Sequence, residues 1–208
     1  MAIPNTYIES QLEFNSLLYY RGYSQSKKTR PELGIYVRTT APEWLLPESV
    51  FQFSQAIDIG LVQKDSLDMD LGRTLQACQA LHQHIPHLIE DETDFVRAHQ
   101  VRLILGDIPP VSFEIAARGS IASTSIANFI WSGIYRTYIK THPAFIPLIE
   151  EMKTFYRKAT LALRFPILAA WMSFRDKNLF RGSVGLHLSQ KNRQDKHFSY
   201  PYRRPLCC

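Results

Sequence analysis

Hydrophobic and polar residues alternate near the beginning of the chain. From Tyr7 to Leu18, alternate positions hold mainly Ile, Leu and Phe, and the positions between them hold Glu, Gln and Asn. This period of two is typical of a half-buried strand. Short strands are also predicted over Leu33–Arg38 and over Val111–Ala116, whose sequence VSFEIA alternates in the same way. The pattern predicts a few short strands, which we expect to be antiparallel.

Longer stretches repeat hydrophobic residues every three or four positions, as an amphipathic helix does. Pro86 is expected to end or kink a helix that begins at Asp65 or Ser66, because proline has no backbone N–H to donate. The sequence therefore predicts a helix-rich α+β domain over residues 1–174 and a basic, aromatic-containing tail over residues 175–208. Helices are predicted over 51–57, 65–86, 87–105, 121–140 and 144–165.

Composition agrees with a single folded core. The chain has 208 residues, of which 45% are hydrophobic and 12% aromatic, enough to bury one sizeable core. The longest apolar stretch, Ala159–Phe174, contains Arg164 and Pro166 and is shorter than the roughly 20 residues that a membrane span needs. We expect it to form a buried or partner-facing helix. Three cysteines and an N-terminus without a signal-like apolar run favour a cytoplasmic protein.

Charge is distributed unevenly along the chain. Residues 136–208 contain 14 Lys and Arg against 4 Asp and Glu, whereas residues 1–135 contain 10 basic and 15 acidic residues. A basic C-terminal third is typical of a surface that faces a polyanion. The alternative is a solvated extension whose cations pair with the acidic body, or a contact with a protein partner.

The basic tail supplies the candidate site residues. Lysine and arginine side chains neutralise phosphates, and the interleaved Phe198, Tyr200 and Tyr202 would stack on bases. We expect nucleic acid as the partner, with DNA favoured over RNA. The residues predicted to contact phosphates are Arg175, Lys177, Arg181, Lys191, Arg193, Lys196, Arg203 and Arg204.

One group of residues resembles a metal site. Cys78 and His82 are four positions apart and would share a helix face, but His84 and His87 would lie on another face. A structural zinc site needs four ligands, and no second pair stands at a usual spacing. We therefore predict no metal, and histidines at a helix end are the simpler interpretation.

No catalytic motif is visible in the sequence. The chain has no nucleophile elbow, no phosphate-binding glycine loop and no dinucleotide fingerprint. Asp68 and Asp70 resemble an acidic pair that holds a divalent ion, but acids also collect at helix starts. We predict no enzymatic activity, no catalytic residues and no cofactor; His84, His87 and Glu90 would be the first residues to inspect for a catalytic cleft.

The order of predicted elements resembles that of the AcaB-like family of regulators and accessory proteins of integrating conjugative elements. The resemblance is carried by IESQLEF leading to Arg21-Gly22, by the helix that begins through Asp68–Leu71, by the strand VSFEIA and by the two helices after it. It implies a bacterial mobile-element protein that binds DNA and has no catalytic residues.

Together these observations predict a non-enzymatic nucleic-acid-binding accessory or regulatory protein. The alternative is a protein–protein interaction subunit of a bacterial assembly, either with a partner protein or as a homo-oligomer. In that case the 144–174 region would dock, because its apolar stripe continues past Pro166 through Trp171.

Overall fold

The computed structural model describes residues 5–9, 28–40, 42–46, 48–65, 68–127, 129–164 and 183–185. Its strands form one seven-stranded sheet in the order β3-β2-β1-β4-β5-β6-β7, and every pair of neighbouring strands is parallel. The prediction of antiparallel strands in an α+β fold is therefore wrong, and the fold class is α/β. The strands are β1 (Asn5–Glu9), β2 (Gly34–Thr39), β3 (Phe51–Ser54), β4 (Val101–Gly106), β5 (Ala122–Ala127), β6 (Leu161–Arg164) and β7 (Ser183–Gly185).

The strand order reverses beside β1. The chain proceeds outward from β1 through β2 to the edge strand β3, then returns to place β4 on the other side of β1. This is a doubly wound arrangement, in which the connections after the two central strands leave in opposite directions. Such sheets bind ligands outside the carboxyl ends of the strands, so that edge is where a site is expected.

Helices lie between the later strands. A layer forms over one face of the sheet, where the first helix contacts the second and the fourth, and the second also contacts the fourth. The helices are α1 (Leu71–Ala98), α2 (Val111–Gly119), α3 (Trp131–Arg136) and α4 (Phe145–Tyr156), and a short 3-10 helix spans Glu43–Leu45.

Helix α1 runs through the proline that was predicted to stop it. The carboxylate of Asp70 caps its start by accepting a hydrogen bond from the Arg73 backbone N–H at 2.9 Å, and the helix continues past Pro86 to Ala98. The lost backbone hydrogen bond costs about 3 kcal/mol. Burial of side chains beyond the proline, including Leu88 and Val96, offsets that cost.

Helix α1 also reaches beyond the sheet. Its 28 residues span about 42 Å, whereas a six-residue strand spans about 20 Å. The N-terminal half of α1 therefore packs with α3 and α4 at the carboxyl edge, where Cys78 joins a core that contains Trp131, Tyr135 and Phe145. This second core forms the frame of the candidate site.

Several predicted elements exchange identity in the structure. The strand predicted over Leu33–Arg38 is confirmed as β2. The sequence VSFEIA forms the start of α2 instead of a strand. All six of its side chains are buried, so its alternation of polar and apolar residues does not distinguish a buried face from an exposed one. Parallel strands buried on both faces read as continuous apolar runs, which resemble helices. This reason applies to β4, whose sequence is VRLILG; the residues of β3, β5 and β6 were also predicted as parts of helices.

The two faces of β2 have different chemistry. Ile35 and Val37 pack with Leu105 on one face, and Arg38 points towards α1 on the other. The Arg38 guanidinium carbon lies 4.0 Å from the centre of the Phe53 ring, and Arg38 Nε donates to the buried Glu92 carboxylate of α1 at 2.9 Å. This ion pair fastens α1 to the outer part of the sheet.

The described part of the chain contains no helix that is both long and apolar enough to cross a membrane. The expected helix over 159–174 begins instead with the short strand β6, and residues 165–174 lie outside the described residues. The division at residue 174 stays a prediction. Of the tail, residues 183–185 are described, and they pair with β6.

Candidate functional site

The carboxyl ends of three strands bring polar side chains together. Asp58 follows the edge strand β3, Asp107 comes directly after β4, and Trp131 begins α3 after β5. All three side chains are buried, although two of them are carboxylic acids. A buried acid is rare unless it is bonded to a specific partner.

Helix α3 ties the segment after β3 into this cluster. The Trp131 indole Nε1–H donates a hydrogen bond to Asp58 Oδ2 at 2.7 Å. One turn later, the Tyr135 hydroxyl donates to the backbone carbonyl of Ile59 at 2.5 Å. We call these two hydrogen bonds the α3 latch, because they hold residues 57–60 against α3.

Asp58, which accepts one of the two latch hydrogen bonds, has a raised pKa. The pKa of Asp58 is raised to about 7, chiefly by burial; the Trp131 hydrogen bond lowers it, and the nearby Asp107 carboxylate adds a smaller increase. Burial also raises the pKa of the Cys78 thiol and of the Tyr135 hydroxyl, whose Sγ and oxygen atoms are 3.4 Å apart. Near neutral pH, the charge of Asp58 therefore changes more readily than that of the Cys78 thiol or the Tyr135 hydroxyl.

A glycine permits the close packing that positions Asp107. A methyl group added at Gly106 would lie 2.6 Å from Ser112 Oγ and 2.8 Å from the ring edge of Phe113. A larger residue would therefore require the Ser112 or Phe113 side chain at the start of α2 to shift. The small residue at 106 lets these side chains pack closely against the end of β4, next to Asp107.

A cleft opens beside the latch on the helix-covered face. Its enclosed volume is about 30 Å³, and the figure rises to about 420 Å³ when the adjoining open space is counted. Residues 57–59 form one wall, and α1, the start of α2 and α4 form the others. Most of the lining is apolar, and the polar side chains in it are Asp58, His82 and Glu151.

His82 and Glu151 form a pair at this cleft. The imidazole Nδ1 of His82 on α1 lies 2.5 Å from Oε2 of Glu151 on α4, and both side chains are about one-third to two-fifths exposed. Burial raises the pKa of the Glu151 carboxyl, and the His82 imidazole opposes that effect. A carboxylate on one ring nitrogen orients an imidazole and leaves the other nitrogen for proton transfer.

The residues predicted from the sequence meet different outcomes. The eight basic tail residues, Arg175 to Arg204, lie outside the described residues, and their predicted role stays untested. His84, His87 and Glu90 are exposed on α1 and do not line the cleft. Asp70 caps α1, and Asp68 lies in the turn before it, where its backbone N–H donates to Asp65.

The metal-like cluster separates in the structure. Cys78 is buried against Tyr135, and His82 faces Glu151. Within the described residues, no group of three or more His, Cys, Asp or Glu side chains is arranged to hold a metal ion. The sequence did place Cys78 and His82 on one helix face, but the carboxylate partner of His82 comes from a helix that begins 63 residues later.

Comparison with known proteins gives structural matches alone. No family model matches the chain, and no curated protein matches it. A glycosyltransferase from Phytolacca americana, UGT2, solved with UDP-2-fluoro-glucose and pterostilbene, has a TM-score of 0.48 at 12% identity over 79% of this chain and 48% of its own. A UDP-glucosyltransferase from Polygonum tinctorium has a TM-score of 0.46 at 10% identity, with 78% and 46% covered. The calicheamicin glycosyltransferase CalG4 has a TM-score of 0.46 at 9% identity, with 86% and 52% covered.

These matches overturn the predicted function. The structures found are described as glycosyltransferases or as a putative UDP-N-acetylglucosamine 2-epimerase, and none of those named is described as a nucleic-acid-binding protein; this finding contradicts the predictions of a non-enzymatic protein, of a nucleic-acid partner and of a DNA-binding role in a conjugative element. The layout resemblance to AcaB-like proteins stays a prediction, although its strand VSFEIA is a helix. The chain spans about half the length of the matched structures.

Proposed function

We propose that this chain is a doubly wound domain of a group-transferring enzyme of the sugar-transfer class, and that its cleft binds the acceptor. The observation that carries the proposal is the contact between His82 and Glu151 at the cleft. An apolar cleft with a paired imidazole suits an apolar molecule that carries a reactive hydroxyl group.

The lining of the cleft defines the acceptor class. Aliphatic side chains from the segment after β3, from α1 and from α4 make its walls, including Ile57, Leu81 and Leu148. Such walls favour a flat or aliphatic body over a freely hydrated sugar. The polar atoms of the cleft are concentrated at Asp58, His82 and Glu151, where the hydroxyl group of an acceptor would be oriented.

The imidazole supplies the chemistry. His82 would accept the hydroxyl proton while the oxygen attacks the anomeric carbon of a UDP-sugar; the bond between that carbon and the diphosphate would break, and UDP would leave with its electron pair. Glu151 would hold the imidazole ring and stabilise its positive charge. General base catalysis of this kind contributes about 10²- to 10⁴-fold in rate. We assign no donor-binding site to this chain, because it spans about half the length of the enzymes that it matches.

The test is calorimetric titration of the full chain with pterostilbene, an apolar phenol bound in one of the matched structures. The variant Leu81→Trp places a large ring at a position that lines the cleft, whereas the control Gln83→Trp places it on the exposed side of the same helix. We expect at least tenfold weaker binding for Leu81→Trp and unchanged binding for Gln83→Trp. Absence of binding by the unaltered chain, or equal affinities for both variants, would refute the acceptor assignment.

A further inference from the structure

The cleft lies where two apolar cores meet. One core includes Ile57, Val111 and Phe155 with side chains from the second half of α1, and the other includes Cys78 and Leu148 beside α3. These five side chains line the cleft, and each is at most 9% exposed. We call the enclosed space of about 30 Å³ between them the inner end of the cleft.

The cleft runs from a polar mouth to this apolar inner end. At the mouth, the side chains of His82 on α1 and Glu151 on α4 are 42% and 32% exposed. One turn earlier on each helix, Cys78 and Leu148 are buried in the second core. Residues three or four positions apart share a helix face, so both helices lead from the polar pair into the same interior. A ligand whose hydroxyl group meets His82 therefore has the inner end available for an apolar part of its body.

The chemistry of the inner end favours an apolar group. Four of its five side chains are hydrocarbon, and the fifth is the Cys78 thiol, whose sulfur lies 3.4 Å from the Tyr135 hydroxyl oxygen. The Asp58 carboxyl, which also borders the cleft, accepts a hydrogen bond from Trp131, a residue of α3 rather than of the lining. A gap lined in this way holds water poorly, and its occupation by a methyl or methylene group is favourable.

The volume of the inner end limits what can enter it. One water-sized group occupies about 10–15 Å³ of such a cavity, so about 30 Å³ holds roughly two such groups. A methoxy or ethyl group has two non-hydrogen atoms and fits this space. An isopropoxy group has four, and it would enter only by displacing side chains that are packed into the two cores.

We propose that the inner end selects acceptors that carry a short alkyl or alkoxy group besides the reactive hydroxyl group. The short group fills the gap between the two cores, while the hydroxyl group meets His82 at the mouth. This inference rests on the proposed function, to which it adds a requirement on the shape of the acceptor. A hydroxyl group in the gap would lack a hydrogen-bond partner, and a branched ether would overpack it. Affinity should therefore be greatest for a substituent of intermediate size.

Calorimetric titration of the full chain with three matched stilbenes tests this requirement. Pterostilbene carries its hydroxyl group at one end and two methoxy groups at the other, and the two analogues carry hydroxyl groups or isopropoxy groups in place of the methoxy groups. We expect each analogue to bind about tenfold or more weakly than pterostilbene. The isopropoxy compound is the most apolar of the three, so tighter binding of that compound would show that affinity follows hydrophobicity alone and would overturn the inference.

Two valines of the same core provide matched variants. Val111 lines the inner end, whereas Val96 on α1 is equally buried and does not line the cleft. Val111→Ala enlarges the inner end, so we expect it to improve binding of the isopropoxy compound, relative to pterostilbene, by about tenfold. Val96→Ala should keep the preference of the unaltered chain. If Val111→Ala does not fold, Ile57→Val removes one lining methyl group at a lower cost in stability and should shift the preference in the same direction.

The two proposals fail in different ways. If pterostilbene and both analogues fail to bind, the acceptor assignment falls, and the inference on the inner end falls with it. If all three compounds bind with equal affinity, the acceptor assignment stands and the shape requirement is refuted. The shape requirement is also refuted if a folded variant of the lining leaves the preference among the three compounds unchanged.

Discussion

Arg38 and Glu92 form a buried ion pair between the sheet and helix α1. Arg38 Nε donates to Glu92 Oε1 at 2.9 Å, and 3% and 6% of the two side chains are exposed. The guanidinium carbon lies 4.0 Å and 4.1 Å from the ring centres of Phe53 and Phe95. The opposite charges of Arg38 and Glu92 stabilise each other in this buried position. The faces of the Phe53 and Phe95 rings also attract the guanidinium charge.

Removal of the carboxylate should therefore be costly. We expect Glu92→Ala to lower the free energy of unfolding by about 3–5 kcal/mol, because it removes the carboxylate that accepts a hydrogen bond from the buried Arg38 guanidinium. Urea denaturation followed by circular dichroism measures this change. The matched control is Glu90→Ala on the exposed side of the same helix, which should stay within about 0.5 kcal/mol of the unaltered chain. Similar losses for both variants would contradict the assigned role.

Two glycines should respond in opposite directions to the same substitution. Gly106→Ala brings a methyl group to within 2.6 Å of Ser112 Oγ, and we expect a loss of about 1–3 kcal/mol through overpacking. Gly72 lies exposed in the first turn of α1, where an added methyl group would meet Asp70 Oδ1 at an ordinary 3.5 Å. Gly72→Ala should stabilise the fold by about 0.5–1 kcal/mol, since alanine favours the helix. Thermal unfolding of the two variants shows whether the signs differ.

Asp58 should give the fold an identifiable pH dependence. Its pKa rises from 3.8 in the unfolded chain to about 7 in the folded one, so between these values the folded state binds the extra proton. Its contribution to the free energy of unfolding is therefore complete below pH 4 and falls as the pH rises to 7, by about 4 kcal/mol in total. The measurement is the difference in urea stability between the unaltered chain and Asp58→Asn across this range. A difference that did not change with pH would contradict the assigned proton affinity.

His82 should affect turnover more than binding if it is the base. We expect His82→Gln to lower the rate of transfer to a phenolic acceptor from UDP-glucose by about 10²- to 10⁴-fold with little change in KM. Release of UDP by the enzyme that contains this domain measures the rate. His84→Gln, two residues along on the exposed side of α1, is the control and should keep full activity. An unaffected rate for His82→Gln would show that the His82–Glu151 pair does not act in catalysis.

Local signals in the sequence were reliable where polar and apolar residues recur with a clear period. Strand β2 and the amphipathic run of α1 were found from their own patterns, but the start of α1 was predicted at Asp65 or Ser66, whereas the capping acid is Asp70. Where both faces are buried, the period disappears. The run from Val101 to Gly106 contains no polar position that would distinguish a strand from a helix, apart from Arg102.

The candidate site was beyond the reach of local pattern. Asp58, Asp107 and Trp131 are separated in the chain, and none of them suggests a site by itself. Asp58 reads as an acid in a loop, Asp107 as an acid in a turn, and Trp131 as an aromatic residue of the core. One signal was present, namely an acid directly after an apolar run at Asp107. It becomes informative only once that run is known to be a strand whose carboxyl end faces a site.

The amino-acid sequence by itself determined that the chain folds around an apolar core and that an amphipathic helix follows residue 70, because composition and the spacing of apolar residues act within short segments. Tertiary structure alone decided that the strands are parallel, that His82 meets Glu151, and that the Asp58 carboxyl is buried beside Asp107. These properties depend on which distant segments become neighbours, and on the loss of water between them. Burial and proximity set the proton affinity of Asp58, and neither exists until the sheet has assembled.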